Sequence, residues 1–451
     1  MVAHPLLAEH SDLATAINIL DGWAAHQRQR RHQPGLAIGV VYDGELLWGA
    51  GYGLADIESE TPVTLDTRFR IASITKTFTA TAILQLRDAG KLRLDDAVGD
   101  HLDWFDLRYK DAPNITIRNL LTHSSGLPRD SANPMWTECA APDWDSFIAD
   151  TQKRAPTRAP YEAYAYSNLG YSLLGGVIAA VSGQSWADYL QAHVLDPLGM
   201  HETRPIPSAD DPLLAIGYTR ERADGGRDAL PFWLMKGFEA SANFASSVKD
   251  LAKYAAFHLG SHGSAVLNRY SLLDMHRVHF LSEGWEGGYG LGLGLHRMKD
   301  WVISGHGGGY PGYLTMFSLC RELKAGVIVL TNSLGSDPQD YVSQAFKLLL
   351  PELAKLQKDA EQAQPQWTQY VGDYESEWAR QKVVIREGQL QVLSLDWLDE
   401  EPTVLEPTDT AHTFRLKQRG QSNETLRFEL DETGAVLRMW ERNEYSQRLS
   451  D

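Results

Sequence analysis

Apolar, β-rich runs stand at both ends of the first 333 residues, and helical patterns fill the space between them. This arrangement limits the topology more than any other feature of the chain. Near the start, LAIGVVY (36–42), Asp43-Gly44 and ELLWGAGYG (45–53) read as strand, tight turn and strand, a hairpin. Strand character returns late, in WVISG (301–305), YLTMFSLC (313–320) and AGVIVLTNS (325–333). A helix preceding the hairpin is expected from Leu13, Ile17, Leu20 and Trp23 at helical spacing, with Ser11 as its cap. Another is expected at about 338–357. Helical periodicity also marks 72–90, 115–128 running into a loop, 167–183, and 246–260 with Ser246 or Ser247 as cap. The simplest arrangement is an α/β (α+β) unit, an antiparallel sheet assembled from both chain ends with an inserted helical lobe.

Residues 358–366, KDAEQAQPQ, are polar and contain Pro365, which predicts a linker between a unit at 1–357 and another at 367–451. The latter alternates short strands with turn signals and reads as a small all-β barrel or sandwich.

The net charge of −17 repels phosphate and argues against a nucleic-acid partner. No stretch approaches 18 unbroken apolar residues, so no membrane span is expected. The first twenty residues show neither a basic region nor an apolar run of the secretory kind, which predicts a cytoplasmic location. The two cysteines, Cys139 and Cys320, are too few for a disulfide framework and are expected as buried thiols. The fifteen histidines show no ligand pair, so neither a metal nor another cofactor is expected.

Three segments carry residues suited to chemistry. In Ser73-Ile-Thr-Lys76, at the start of a predicted helix, positions i and i+3 share a face, so an amine can lie beside a hydroxyl. A serine needs a base to become nucleophilic, and a lysine whose pKa is lowered by burial or cationic neighbours can serve. In Tyr166-Ser167-Asn168, a phenol can act as base if nearby ammonium groups lower its pKa, while Asn168 offers a donor and an acceptor to a substrate amide. In His306-Gly307-Gly308-Gly309, after the strand 301–305, glycines allow close backbone approach and leave N–H groups free for an oxyanion. Each segment alone has an ordinary explanation: a capping serine with a surface lysine, a packed aromatic, a glycine-rich turn.

In this order the three segments resemble the S-x-x-K, Y-x-N and K/H-x-G motifs of the serine β-lactamase and penicillin-binding protein superfamily. FRIASITKTFTA, ITIRNLLTHSSGLP, YSNLGYSLLGGVI, VLDPLGM and GHGGGYPGY resemble its class C β-lactamase-like branch, which holds D-alanyl-D-alanine carboxypeptidases, D-aminopeptidases and esterases. The resemblance covers roughly residues 10–355 and implies a β-lactamase-like fold. It implies a serine hydrolase acting through an acyl-enzyme on a small molecule or short peptide, an amide or ester and in particular a D-residue. By the resemblance, Ser73 is the nucleophile, Lys76 helps deprotonate it, and Tyr166 protonates the leaving group. Asn168 binds the substrate amide, His306 stands where relatives have Lys or His, and the Ser73 and Gly309 amides form the oxyanion hole. His123 is expected to structure its loop.

Two departures matter. His306 and Gly307 replace the lysine and hydroxyl that grip a substrate carboxylate in lactamases, which argues against efficient β-lactam turnover. SANFASS (241–247) replaces a glycine-rich turn, so Asn243 and Phe244 are expected to reshape one pocket wall. The C-terminal unit resembles a lipocalin-like barrel appended to some of these peptidases, which implies homo-oligomerisation or a cover over the active-site mouth. A β-lactamase, an acyltransferase using the same intermediate, and a non-catalytic binding protein are the alternative functions.

Overall fold

The computed structural model describes residues 2–263, 265–362, 365–386, 388–396, 402–417 and 424–449. The chain divides into two compact units, residues 1–350 and 351–451.

In the first unit the expected hairpin forms, Gly35–Tyr42 with Glu45–Asp56. The Asp43-Gly44 turn takes positive φ at both residues, 46° and 92°, which matches the twist of the flanking strands. The hairpin is completed from the far end of the sequence. Ala325–Thr331 pairs antiparallel with Gly35–Tyr42, from Ala325 opposite Tyr42 to Thr331 opposite Leu36. The sheet continues through Tyr313–Cys320, Trp301–Tyr310, Gly294–Met298, Gly287–Tyr289 and Phe280–Leu281, every pairing antiparallel. Val2–Ala3 borders Glu45–Asp56 at the opposite edge.

Helix Val248–Leu259 packs on the strands 35–42 and 325–331, and Ser247 caps it by accepting from the Asp250 N–H. The approach is so close that a Cβ on Gly39 would collide with Val248. The inserted lobe is built around helix Thr75–Asp88, whose residues 75–84 are all buried, against Asn168–Ser182 and the short turn Glu239–Ala242. Such a helix is fixed by packing on every side. Phe78 stacks on Tyr254 at 3.7 Å and leans on Phe244 at 5.0 Å.

Several local expectations change. Helix Ser11–Arg30 begins at Ser11, and no side chain caps it. Helix Pro338–Gln362 crosses the division between the two units at residue 350, and it includes residues 358–362 of the segment expected as a linker. Of the two thiols, Cys320 is buried and Cys139 only half-buried, and they are not bonded to each other. His306–Gly309 is not a turn after a strand; it lies inside Trp301–Tyr310.

The second unit contains a closed eight-stranded antiparallel barrel in simple chain order, from Gly372–Glu375 to Glu444–Arg448. Tyr374 opposite Arg448 closes it. Its core holds Tyr374, Val383, Leu390, Leu405, Phe414, Leu426 and Phe428. Closure removes the exposed edges that a sandwich would keep. Among the described residues no helix is long and apolar enough to cross a membrane, and no cluster of three His, Cys, Asp or Glu side chains could hold a metal.

Candidate active site

Ser73 sits in a 3₁₀ turn, Ala72–Ile74, that opens directly into helix Thr75–Asp88. The first N–H groups of a helix have no acceptor within it, so this position leaves amide hydrogens for a ligand. Ala72 holds φ at 49° although it carries a Cβ, and it is fully buried. A left-handed residue of this kind costs about 1–2 kcal/mol, sustained here by the surrounding packing.

One helical turn on, Lys76 is fully buried. Its Nζ lies 3.2 Å from Ser73 Oγ, 2.7 Å from Asn168 Oδ1 and 2.8 Å from the Ser241 carbonyl. Burial pushes its pKa well below the usual lysine value; Asp130 opposes the shift and Arg129 adds to it. The Asn168 and Ser241 oxygens only accept. A neutral amine therefore gives its two hydrogens to them and turns its lone pair toward Ser73.

The Tyr166 ring lies 4.9 Å from the Lys76 amine, and its phenol is near enough to Ser73 for Ser73 to draw its pKa down. A phenol acting as base would need its pKa lowered. Burial instead pushes it up, only partly offset by Ser73, so the phenol keeps its proton. Two bonds from His123 place the segment: Ser167 N–H donates to its Nδ1 at 3.1 Å, and Ala165 N–H to its carbonyl at 2.7 Å. The His123 ring also lies 4.3 Å from that of Tyr166. His123 thus organises the loop, at a φ of 54°.

Asn168 opens helix Asn168–Ser182, and Ser167 caps it by accepting from Gly170 N–H. The Asn168 Nδ2 donates to Asp130 Oδ1 at 2.7 Å, so only its second hydrogen remains for a substrate carbonyl. Asp130 was not singled out in the sequence. It is one acidic residue in a polar loop, and only the fold brings it to Asn168. Its neighbour Arg129 sets its guanidinium 5.3 Å over the Tyr166 ring.

The strand 301–310 brings the third segment to the other two. Its pairing with Gly294–Met298 stops at Gly305, while pairing on the other side continues to Tyr310 opposite Tyr313. Residues 306–310 therefore keep one edge free of strand pairing. That stretch packs against the turn carrying Ser73, so tightly that a Cβ on Gly308 would collide with the Ile71 carbonyl and the Thr315 hydroxyl. At Gly309 there is room: the nearest atom to a Cβ would be Leu314 Cδ2 at 3.7 Å. The His306 Nδ1–H donates to the Gly307 carbonyl at 2.7 Å, and burial holds its pKa down to about 3. The imidazole is neutral. His306 and Gly307 also line a cavity of about 420 Å³ whose other walls include Tyr164, Phe280, Tyr289 and Met316.

Asn243 and Phe244 do not shape a pocket wall. Both are fully buried; Asn243 bonds Met235 N–H, Arg70 and the Pro205 carbonyl, and Phe244 packs on Phe78 and Trp186.

Residues 20–349 match the Beta-lactamase family. The chain is 30% identical over 348 residues to Penicillin-binding protein 4 of Amycolatopsis lactamdurans, covering 72% of this chain and 87% of that one. Other curated relatives are longer, and the chain matches between 48 and 62% of their length. Among solved structures, the octameric penicillin-binding protein homologue from Pyrococcus abyssi superposes with a TM-score of 0.68 at 26% identity, over 95% of this chain and 99% of that one. The D-amino acid amidase of Ochrobactrum anthropi SV3 gives a TM-score of 0.63 at 25% identity, over 75% and 99%. The chain belongs to the beta-lactamase family and is a serine hydrolase of the acyl-enzyme type.

Proposed function

We propose that Ser73 is the nucleophile of this hydrolase, that Lys76 takes its proton, and that the substrate is a small amide or ester, most simply an amide or ester of a D-residue. The observation that carries the reading is the environment of the Lys76 amine: buried, committed through two hydrogens to Asn168 and Ser241, and 3.2 Å from Ser73 Oγ. As Ser73 Oγ bonds to the carbonyl carbon, its proton passes to Lys76, and the negative oxygen faces the Ser73 and Gly309 amides. Collapse expels the leaving group, which takes a proton from Tyr166. The Lys76 ammonium then returns the Ser73 proton to Tyr166, so both groups regain their starting forms while Ser73 carries the acyl group. Water then cleaves the acyl ester, and Ser73 regains its proton.

Three features support the substrate class. The neutral His306 beside Gly307 supplies neither a cation nor a hydroxyl for a substrate carboxylate. The cavity at His306 has mainly aromatic and apolar walls, which suits an uncharged group. The likeness to a D-amino acid amidase points the same way. Homo-oligomerisation through the barrel is a companion proposal, prompted by the octameric homologue, and light scattering on the full chain tests it.

The deciding experiment runs p-nitrophenyl esters, D- and L-aminoacyl anilides and a chromogenic cephalosporin on the wild type and on Ser73→Ala. Ester or D-anilide turnover, weak cephalosporin turnover and loss of all in the variant are expected. Full activity in Ser73→Ala, or a fluorophosphonate adduct on another serine alone, overturns the reading.

A further inference from the structure

A second cavity, of about 550 Å³, lies in the helical lobe and includes none of the residues assigned to acyl transfer. Its floor is the small-residue face of helix Asn168–Ser182: Gly175, Gly176, Ala179 and Ala180. The glycines are needed there, because a Cβ on Gly176 would meet the Trp144 ring at 2.7 Å and one on Gly175 would meet Ala240 at 2.6 Å. Trp104, Trp144 and Trp186 form the walls, the first two edge to face at 6.4 Å. The Trp186 N–H is spent on Thr79 Oγ1 at 3.0 Å, so that ring offers a ligand only apolar and π surface.

Two carboxylates join these rings. Asp143 is engaged in capping the next helix, where it accepts from Ser146 N–H at 2.8 Å. Glu239 is different. It is half-buried and makes no ion pair or side-chain hydrogen bond among the described residues. The single cation on the lining, Lys236, is exposed and does not pair with it. A carboxylate taken out of water without a partner is costly, and burial accordingly raises the Glu239 pKa. Aromatic faces carry negative potential, so rings and carboxylate favour the same kind of occupant, an organic cation.

We propose that this cavity is a second ligand site for a small aryl- or alkylammonium ion, its charge against Glu239 and its apolar body among Trp104, Trp144 and Trp186. A cavity of this size holds such a molecule. An anion is disfavoured, since two carboxylates and three tryptophan rings line the space. The site is separate from Ser73 and does not depend on the proposed hydrolysis.

Titration calorimetry of the full-length protein with benzyltrimethylammonium chloride tests it, with benzyl alcohol as the uncharged comparison. Saturable one-to-one binding is expected, unchanged after Ser73 has been blocked with a fluorophosphonate. Affinity should fall at least about tenfold in Glu239→Gln and in Trp104→Leu, and benzyl alcohol should bind more weakly than the cation. Glu239→Gln removes an unpaired charge, so it should fold; Trp104→Leu provides an independent check at a half-buried wall. No saturable binding, equal affinity in both variants, or loss of binding when Ser73 is blocked each overturns the proposal.

Discussion

Asp130 and Asn168 are joined by a 2.7 Å hydrogen bond that decides which end of the Asn168 amide faces Lys76. A carboxylate only accepts, so Nδ2 must point to Asp130 and Oδ1 to the amine. Asp130 thus acts on Lys76 in two ways: it aims an acceptor at the amine and, as a nearby negative charge, stabilises the ammonium form.

These two effects separate in Asp130→Asn, which keeps an acceptor for Asn168 but removes the charge. Asp130 raises the Lys76 pKa, so its neutralisation lowers that pKa further. Activity requires the neutral amine and rises with pH through the Lys76 titration. The acidic limb of kcat/KM for an ester substrate should therefore move to lower pH in the variant. An unmoved or upward-shifted limb would remove Lys76 from the role of proton acceptor.

Neighbouring glycines should respond in opposite ways. Gly308→Ala puts a methyl into the Ile71 carbonyl, which must push the strand from the Ser73 turn. A displacement of that order costs about a hundredfold in rate. Gly309→Ala makes only an ordinary contact, 3.7 Å from Leu314 Cδ2, and should keep most of the activity and the melting temperature. Stopped-flow labelling of Ser73 by a fluorophosphonate compares the two; equal rates would mean the close approach at Gly308 is irrelevant to the site.

At His123 both the ring nitrogen and the left-handed backbone are used. His123→Ala removes the acceptor for Ser167 N–H, retains the strained φ, and should destabilise the protein by about 2 kcal/mol. Asn tolerates left-handed backbone and carries an acceptor, so His123→Asn should recover part of the loss. Thermal unfolding of both variants provides the measurement, and the prediction fails if Asn is no better than Ala.

Burial holds the pKa of His258 and of His306 down to about 3. Unfolded histidine titrates near its ordinary value of 6.5. As pH falls between those values the unfolded chain takes up protons that the folded one refuses, so stability should decline from pH 6.5 toward 3 and level off below. His258→Asn should weaken that dependence by removing one such group. Melting temperatures at pH 7 and 4.5 settle the point; a slope equal to that of the wild type counts against it.

The sequence revealed those parts of the fold that local chemistry specifies. Asp43-Gly44 marks a hairpin because few residues tolerate its backbone, and Ser73 with Lys76 share a face because of helical geometry alone. The strand reads as ending at Gly305 because glycine carries no strand propensity; the extended form of His306–Gly309 is imposed by the partners Leu314–Phe317. The rise in the Tyr166 pKa lay beyond the sequence for a related reason. Neighbouring charges can be guessed from motifs, but full desolvation by residues far away in sequence cannot. Asp130 belongs to the same class, a residue whose importance arises only when loop 122–130 meets helix Asn168–Ser182.

The pairing of Ala325–Thr331 with Gly35–Tyr42 also has a consequence for biosynthesis. During translation the early hairpin, complete at Asp56, leaves the ribosome about 270 residues before the strand that starts at Ala325 and covers its inner edge. Until then its hydrogen-bonding groups and apolar surface have no native neighbour there, a state open to wrong partners. Completion of this sheet is necessarily a late event, and a nascent chain halted before residue 325 would offer chaperones a sticky, half-made platform.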